Sequence, residues 1–276
     1  MDYQIILVYC LCADLLLALQ HKEDKQCQLS DAEVMTAGIV AALYFGGKHK
    51  LACTFLHEQG YMPHMVSKSQ FSRRLHRLDA LFVALFRVLG ETFKELNEES
   101  VYIIDSAPIA VCDNIRIRRN KIYGDEAYRG YQASKHRYFY GVKIHLLVTK
   151  DHQPVEFFLS PGGVSDPAAL TQYDFELPAG AFVFADKAYT NYLVEDVLAE
   201  ADIHLAPDRK KNSRRPLPPW LWGLLHHYRN QVETAGSLIE RLLPKSIHAV
   251  TAKGFELKVI LFVLASSINC LAAAPA

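Results

Sequence analysis

The sequence predicts an α/β protein in which an all-helical N-terminal domain precedes a mixed sheet flanked by helices. Through the first hundred residues, apolar positions recur mostly at the spacing of amphipathic helices. From Val101 onward, short apolar runs of strand length alternate with helical segments. We therefore expect two domains, residues 1–98 and 99–276.

The composition indicates a globular protein, because half of the 276 residues are hydrophobic and 22% are charged. Lys and Arg equal Asp and Glu at 30 each, so a nucleic-acid surface would need local clusters of positive charge. The six cysteines lack the paired spacing of a metal site, which favours reduced thiols in a cytoplasmic protein. The apolar run from 259 to 276 contains Ser266, Ser267 and Asn269 and predicts a buried helix.

The first two helices are predicted by spacing and by a capping motif. Apolar residues recur at helical intervals over 5–19. Ser30 and Glu33 form a capping-box pattern, which predicts a second helix from there to about Phe45. The glycines at 46 and 47 end it.

A basic helix follows a third helix and a turn. Residues 51–58 read as a helix, and after the turn at 60–63 comes S-K-S-Q-F-S-R-R-L-H-R-L, which carries Arg73, Arg74 and Arg77. This arrangement resembles a helix-turn-helix DNA reader. An ordinary helical hairpin with a solvated basic face is the alternative. A further helix is expected over 79–96.

The second domain begins with V-Y-I-I-D at 101–105. Residues 139–149 and 155–160 predict a β-hairpin, and shorter strands are expected at 181–186 and 202–207. Helices are predicted over 192–201, 220–243 and 253–271.

Two apolar runs end on an acid, Asp105 and Asp186. In an open sheet, side chains at the carboxyl ends of adjacent strands share a crevice, where two carboxylates repel unless a cation lies between them. Mg²⁺ prefers such oxygen ligands, and two ions about 4 Å apart promote phosphodiester cleavage. The alternative is that each aspartate starts a turn.

A third acid is expected from a helix. Glu233, one turn after Arg229 in Y-R-N-Q-V-E-T-A, is the best candidate, and Glu240 is the fallback. Asp166, in G-G-V-S-D-P, is interpreted as a turn or helix-cap residue that could also lie near the site.

Four segments together resemble the DDE transposases of bacterial insertion sequences: I-I-D-S-A-P-I, G-V-K-I-H-L-L-V, F-A-D-K-A-Y-T-N and Y-R-N-Q-V-E-T-A. The resemblance covers about 101–268 and implies a ribonuclease-H-like fold. It implies that Asp105, Asp186 and Glu233 are the catalytic, metal-binding triad. Their separations are 186 − 105 = 81 and 233 − 186 = 47 residues, which leave no room for a large inserted domain.

The glutamate motif departs from the family's Y-R-E-K signature. His226 stands where that signature has tyrosine, and Tyr228 is displaced. Glu240 stands where it has lysine, with Arg241 next to it. These departures concern the expected phosphate contacts and leave the acidic triad unchanged.

Clusters of positive charge flank the three acids, and loop charge of this kind is otherwise simply solvated. Together with the basic helix they predict a DNA surface around a metal site. Tyrosines interleaved with the first clusters could stack on unpaired bases or serve only for packing. The residues predicted to contact DNA are Arg73, Arg74, Arg77, Arg116, Arg118, Arg119, Lys121, Arg129, Arg137, Lys187, Arg209, Lys210, Lys211, Arg214, Arg215, Arg229 and Arg241.

The resemblance implies a transposase that binds terminal inverted repeats and uses two Mg²⁺ ions, or Mn²⁺ in their place, to cleave and join DNA. At least a homodimer is expected, because two DNA ends must be held. A nuclease without strand transfer and a non-catalytic DNA-binding protein derived from a transposase are the alternatives. No H-E-x-x-H zinc motif or serine-nucleophile elbow is present in the sequence.

Overall fold

The structure is a computed structural model that describes residues 1–24, 26–113, 117, 121–132, 136–228, 243–244 and 247–273. The chain forms two compact units, which are described separately. One comprises Met1–Leu89 with Leu242–Ala276, and the other comprises Gly90–Arg241. The predicted domains, 1–98 and 99–276, divide the chain at different residues, and as functional units they stay a prediction.

The first unit is helical, as the sequence predicts. Its core is α2, which contacts α1, α3, α4 and the C-terminal helix α9. Ten residues of α2 are buried, because neighbouring segments cover every side of this helix. A helix covered in this way is apolar all round. The helices are α1 (Asp2–Ala18), α2 (Asp31–Phe45), α3 (His49–Glu58), α4 (Lys68–Arg77), α5 (Asp79–Leu96), which continues into the second unit, and α9 (Ala252–Ala273).

The start and end of α2 confirm the sequence signals. The Ser30 hydroxyl accepts from the Glu33 N–H, and the Glu33 carboxylate accepts from the Ser30 N–H. Gly46 then takes a φ of 56°, the left-handed conformation that glycine adopts without steric cost. Among the described helices, α9 alone is long and apolar enough to cross a membrane, and most of it is buried as in a core helix.

The second unit contains a six-stranded mixed sheet. Its order is β2-β3-β1-β5-β6, with β4 also paired to β3. β3 is antiparallel to β1, β2 and β4, whereas β1, β5 and β6 are mutually parallel. This is the ribonuclease-H-like arrangement that the resemblance implies. The strands are β1 (Val101–Asp113), β2 (Arg129–Gln132), β3 (Arg137–Thr149), β4 (Pro154–Pro161), β5 (Phe182–Ala185) and β6 (His204–Pro207).

The first strand is longer than its apolar run suggests. Asp105 does not end β1, because the strand continues to Asp113 along β3. The parallel pairing with β5, however, covers only Val101 to Ile104. Pro108 fits in the remainder, since the proline lacks an N–H and lies beyond the part of β1 that pairs with β5. Asp105 is therefore the first residue of β1 past the point where this pairing stops.

Helices alternate with the later strands, as predicted. A short helix α6 (Asp166–Ala169) follows β4, α7 (Tyr192–Glu200) joins β5 to β6, and residues 219–228 form a helix, α8. Asp166 lies in the first turn of α6, directly after the N-cap residue Ser165, and so is not itself the cap.

Candidate active site

In each of three parallel strands, an aspartate directly follows the last residue of the parallel pairing. Parallel pairing aligns Ile104 of β1 with Ala185 of β5, and Ala185 with Pro207 of β6. The next residues are Asp105, Asp186 and Asp208. Because neighbouring strands lie about 4.8 Å apart, these aspartates occupy adjacent positions along one edge of the paired region.

The three carboxylates share one local geometry. In each case Oδ1 accepts a hydrogen bond from the backbone N–H of the next residue, at 2.7 Å for Asp105, 2.7 Å for Asp186 and 2.8 Å for Asp208. A bond from a neighbouring N–H limits rotation of the carboxylate side chain. The backbone thereby presents each carboxylate in a defined orientation.

The face of the sheet that carries Asp105 also packs against α8. Val101, Phe184, Leu225 and Tyr228 belong to one buried cluster, and alternation along the strands puts Asp105 on the face of Val101 and Asp186 on that of Phe184. The rings of Phe184 and Tyr228 stack with centroids 5.5 Å apart.

The direction of α8 follows from two aromatic contacts. Trp220, near the helix start, meets Phe182 at 6.1 Å, and Tyr228, eight residues later, meets Phe184. The helix therefore runs in the direction of β5, toward the end that carries Asp186. Glu233, the predicted third acid, follows Tyr228 by five residues in the sequence.

Several predicted site residues lie outside the described residues. Glu233 and its fallback Glu240 are among them. Five basic residues that are predicted to contact DNA also lie outside the described residues: Arg116, Arg118, Arg119, Arg229 and Arg241.

The opposite face of the sheet carries a buried polar network. His145 is fully buried and contacts the Tyr189 hydroxyl through Nδ1 at 3.1 Å and the Ser160 hydroxyl through Nε2 at 2.9 Å. Ser106 lies opposite His145 across the β1–β3 ladder and donates to Asp166 Oδ1 at 3.3 Å. The network therefore reaches the residue next to Asp105.

The pKa shifts of this network have clear causes. Burial lowers the pKa of His145 to about 4, so the ring is neutral near pH 7. Burial also raises the pKa of Tyr189 well above its usual value, and the negative charges of Asp166, Asp105 and Asp186 raise it further. Tyr189 thus lies within the field of three carboxylates and stays protonated.

A chain of hydrogen bonds links these groups. The Tyr189 hydroxyl bonds to Nδ1 of His145 and to Ser106. Ser106 donates to Asp166, whose Oδ1 also accepts from Lys143 Nζ at 3.1 Å. Hydrogen bonds linked in this way reinforce one another.

The transposase DDE domain family model matches residues 96–245, which is more than half of the chain. The chain belongs to this family. No curated protein matches its sequence.

Two solved structures are weakly similar to the DDE protein. One is a cryo-EM structure of the piggyBac transposase synaptic complex with hairpin DNA, with 10% identity and a TM-score of 0.48, over 95% of this chain and 73% of that one. The other is a crystal structure of a pre-cleavage Mos1 transpososome, with 11% identity and a TM-score of 0.25, over 92% of this chain and 81% of that one.

Asp208 lies on the same edge as Asp105 and Asp186, although it is not among the site residues that the sequence predicts. Its second oxygen, Oδ2, lies 3.2 Å from Nζ of Lys187, the residue after Asp186. The sequence does indicate this residue, because H-L-A-P-D repeats the pattern, found also at Asp105 and Asp186, of an apolar run followed by an acid. The pairing register, which makes this acid a neighbour of Asp186, is decided by the fold.

Several residues that are predicted to contact DNA form ion pairs with acidic side chains of the protein. Arg74 pairs with Asp31 at 2.5 Å and with Glu23 at 3.1 Å, and it bonds the Leu29 carbonyl. Arg129 pairs with Glu126 at 2.7 Å. These side chains stabilise the fold in the first place.

The basic loop after β6 is anchored to α7. Arg209 makes two bonds to Glu195, at 2.9 and 2.6 Å, and Arg215 makes two to Asp196, at 2.6 and 3.1 Å. Both guanidinium groups also lie over the ring of Tyr192. The remaining predicted DNA contacts that the structure describes have exposed side chains, namely Arg73, Arg77, Lys121, Arg137, Lys210, Lys211 and Arg214.

DDE transposases generally use divalent metal ions, and the donors on this edge suit one. Carboxylate oxygens are the ligands that Mg²⁺ prefers, and Asp105 and Asp186 occupy adjacent strand positions with fixed orientations. Within the described ranges, no group of three or more His, Cys, Asp or Glu side chains forms a metal-binding cluster. Glu233, the third ligand that the sequence predicts, lies outside the described residues.

Proposed function

We propose that this DDE protein binds the terminal inverted repeats of an insertion sequence and catalyses metal-dependent cleavage and strand transfer of its DNA. The observation that carries the proposal is the adjacent placement of Asp105 and Asp186, each directly after the last residue of the parallel pairing between β1 and β5, within a domain of the transposase DDE family. Side chains at the carboxyl ends of parallel strands line the usual ligand crevice of open α/β sheets.

Asp105, Asp186 and Glu233 would hold two Mg²⁺ ions, for which Mn²⁺ would substitute. The direction of α8 supports Glu233 as the third acid, because α8 runs toward the Asp186 end of β5. When bound, such ions lower the pKa of a water and stabilise charge on the leaving oxygen. The carboxylates would hold the ions.

The proposed reaction has two steps, cleavage and strand transfer. In cleavage, a water oxygen bonds to phosphorus, the bond from phosphorus to the 3′ oxygen breaks, and that oxygen leaves as a 3′ hydroxyl. In strand transfer, the 3′ hydroxyl attacks a phosphodiester of target DNA and displaces another 3′ oxygen. One phosphodiester bond forms for each one that breaks, so joining needs no external energy source and no covalent link to the protein.

Exposed basic side chains would hold the DNA around the acids. Lys210, Lys211 and Arg214 lie on the loop that the Arg209 and Arg215 ion pairs anchor, which supports this loop as a rigid basic surface. At least a homodimer is required if two ends are cut together. Cytoplasmic location stays a prediction.

The deciding experiment is a strand-joining assay. A linear DNA fragment that ends in the inverted repeats flanking the gene is incubated with plasmid, Mg²⁺ or Mn²⁺, and the full chain. The wild type should join the fragment to the plasmid, whereas Asp105→Asn and Glu233→Gln should abolish cleavage and joining while retaining fragment binding. Asp151→Asn, an exposed aspartate outside the site, is the matched control.

The outcomes separate the alternative functions. Nicking without joined product would indicate a nuclease. Fragment binding with no cleavage by the wild type would favour a DNA-binding protein derived from a transposase. Cleavage that survives Asp105→Asn would refute the proposed triad.

A further inference from the structure

A basic groove lies in the helical unit formed by Met1–Leu89 and Leu242–Ala276, and both helices of the predicted helix-turn-helix line it, although Arg73, Arg74 and Arg77 do not. Its volume is about 1170 Å³. Its basic lining residues are Lys48, His49, Lys50, His57, Lys68, His248 and Lys258. Among the described lining residues the only acid is Glu58, in a chain whose net charge is zero.

The lysines at the mouth of the groove are available for a ligand. Lys48, Lys50 and Lys68 have exposed side chains, and within the described part of the chain none of them forms an ion pair with a carboxylate. Lys258 lies deeper, where it donates to the His248 carbonyl at 2.6 Å. Three exposed ammonium groups therefore surround a concave surface.

Two helices begin at this groove with positively charged residues at their N-termini, where positive charge destabilises a helix. The first turn of α3 contains no acid and has no side-chain cap, and Lys48 and Lys50 stand there instead. The first turn of α4 also lacks an acid and begins with Lys68. Cations at a helix N-terminus oppose the helix dipole, whereas α2 begins with Asp31 and Glu33. Such an arrangement is stabilised when an anion binds.

His49 provides a second indication of a ligand. Its Nε2 atom is buried and has no hydrogen-bond partner among the described residues. Burial lowers the pKa of His49 to about 4, and the positive charges of Lys258 and His76 lower it further. A buried ring nitrogen without a partner is costly, and here it lies in a field that favours negative charge.

The groove differs from the surface of the predicted reader helix. Lys68, Phe71 and Ser72 of α4 line it, whereas Arg73 and Arg77 do not. Those two arginines are four residues apart, so they share another face of α4. Binding at the groove can therefore be tested separately from binding through Arg73 and Arg77.

We propose that this groove binds a single DNA strand, with the phosphates on Lys48, Lys50 and Lys68 and the sugars and bases on the apolar floor. The floor includes Leu51, Met65 and Val66, and a cationic rim over an apolar base is typical of single-strand binding surfaces. A duplex would use the rim and leave the floor empty. The choice of DNA as the occupant rests on the proposed function.

The test measures binding of the full chain to a fluorescent strand of about 20 thymidines, a length that covers one such site, in EDTA by anisotropy. The double variant Lys48→Glu/Lys68→Glu is compared with Lys22→Glu/Arg87→Glu, which changes the charge equally at exposed positions outside the groove. Circular dichroism melting checks that both variants fold.

The groove variant should bind the strand about tenfold or more weakly, and its salt dependence should fall by about 1.4 in log–log slope, since each lost phosphate contact contributes about 0.7. Duplex binding should change much less, and the control variant should bind the strand like the wild type.

Three results would overturn the inference: equal losses in the two double variants, equal losses for strand and duplex, or competition by polyglutamate or inorganic phosphate as strong as that by unlabelled strand. Because no metal is present, these results do not depend on catalysis. A wild type that joins DNA ends while the groove variant binds the strand normally would refute the groove and leave the proposed function intact.

Discussion

Two consecutive residues, Asp105 and Ser106, show how the two faces of the sheet differ. The Asp105 carboxylate is held by a backbone N–H beside the equally held, exposed Asp186. Ser106 belongs to a buried chain of bonds that runs from His145 through Tyr189 to Asp166. One face keeps carboxylates near solvent, where ligands can reach them. The other face satisfies its polar groups internally and holds β1 in place.

The sharpest test of this comparison replaces one aspartate on each face of the sheet with asparagine. Asp186→Asn should lower DNA cleavage by more than about 10³-fold, because a transition-state charge loses its support, while the melting temperature stays unchanged. Asp166→Asn should cost about 1–3 kcal/mol of stability, since Lys143 loses its counter-ion, and should retain most of the activity. Cleavage assays and urea unfolding measure both effects. A reversed pattern would show that the faces have been assigned the wrong way round.

The next largest effect is expected from pH. The pKa of His145 is about 4 in the folded protein and about 6.5 when unfolded, so the unfolded state binds the extra proton between these values. Stability should therefore fall as the pH drops from about 6.5 to 4, by up to about 3 kcal/mol for this residue. Urea unfolding across this range should show a shallower dependence for His145→Gln. Because His49 titrates in the same window, an unchanged dependence in this variant would point to the helical unit instead.

A smaller effect should follow from removing one hydroxyl of the network. Tyr189→Phe keeps the ring but leaves Nδ1 of His145 and the hydroxyl of Ser106 without this partner. We expect a loss of about 1–2 kcal/mol in the free energy of unfolding, the usual cost of an unsatisfied buried group. Tyr131→Phe, at a tyrosine that is half exposed, is the control and should be within about 0.5 kcal/mol of the wild type. Equal stabilities of the two variants would show that the network is not cooperative.

The smallest effect is expected on the face of Asp105. Tyr228→Phe removes the bond from the hydroxyl to Glu99 but keeps the ring stacked on Phe184. Glu99 retains its ion pair with Lys150, so the loss should be below about 1 kcal/mol. If cleavage nevertheless falls by more than about tenfold, which corresponds to about 1.4 kcal/mol, Tyr228 would be a positioning residue for the helix that leads to Glu233. Parallel measurements of unfolding and cleavage separate the two roles.

Much of the local structure could be predicted because its causes are local. The capping box of Ser30 and Glu33, the left-handed Gly46 and the helix Asp79–Leu96 each follow from nearby residues. The apolar runs before Asp105 and Asp186 likewise predicted strands, because alternation and turn residues are read within a few positions. The family resemblance through these segments is confirmed by the match to residues 96–245.

Other features depend on partners far away in the sequence. The continuation of β1 past Asp105 is decided by pairing with β3, and the register of β5 with β6 is what makes Asp208 a neighbour of Asp186. Packing with other segments likewise pairs Arg74 with Asp31, which the sequence did not indicate, while the DNA contact of Arg74 stays a prediction. The sequence by itself determined where most helices and strands form and which apolar runs are followed by an acid, because those preferences are short-range. Only the tertiary structure decided which side chains meet, because strand register and burial are set by contacts between distant segments.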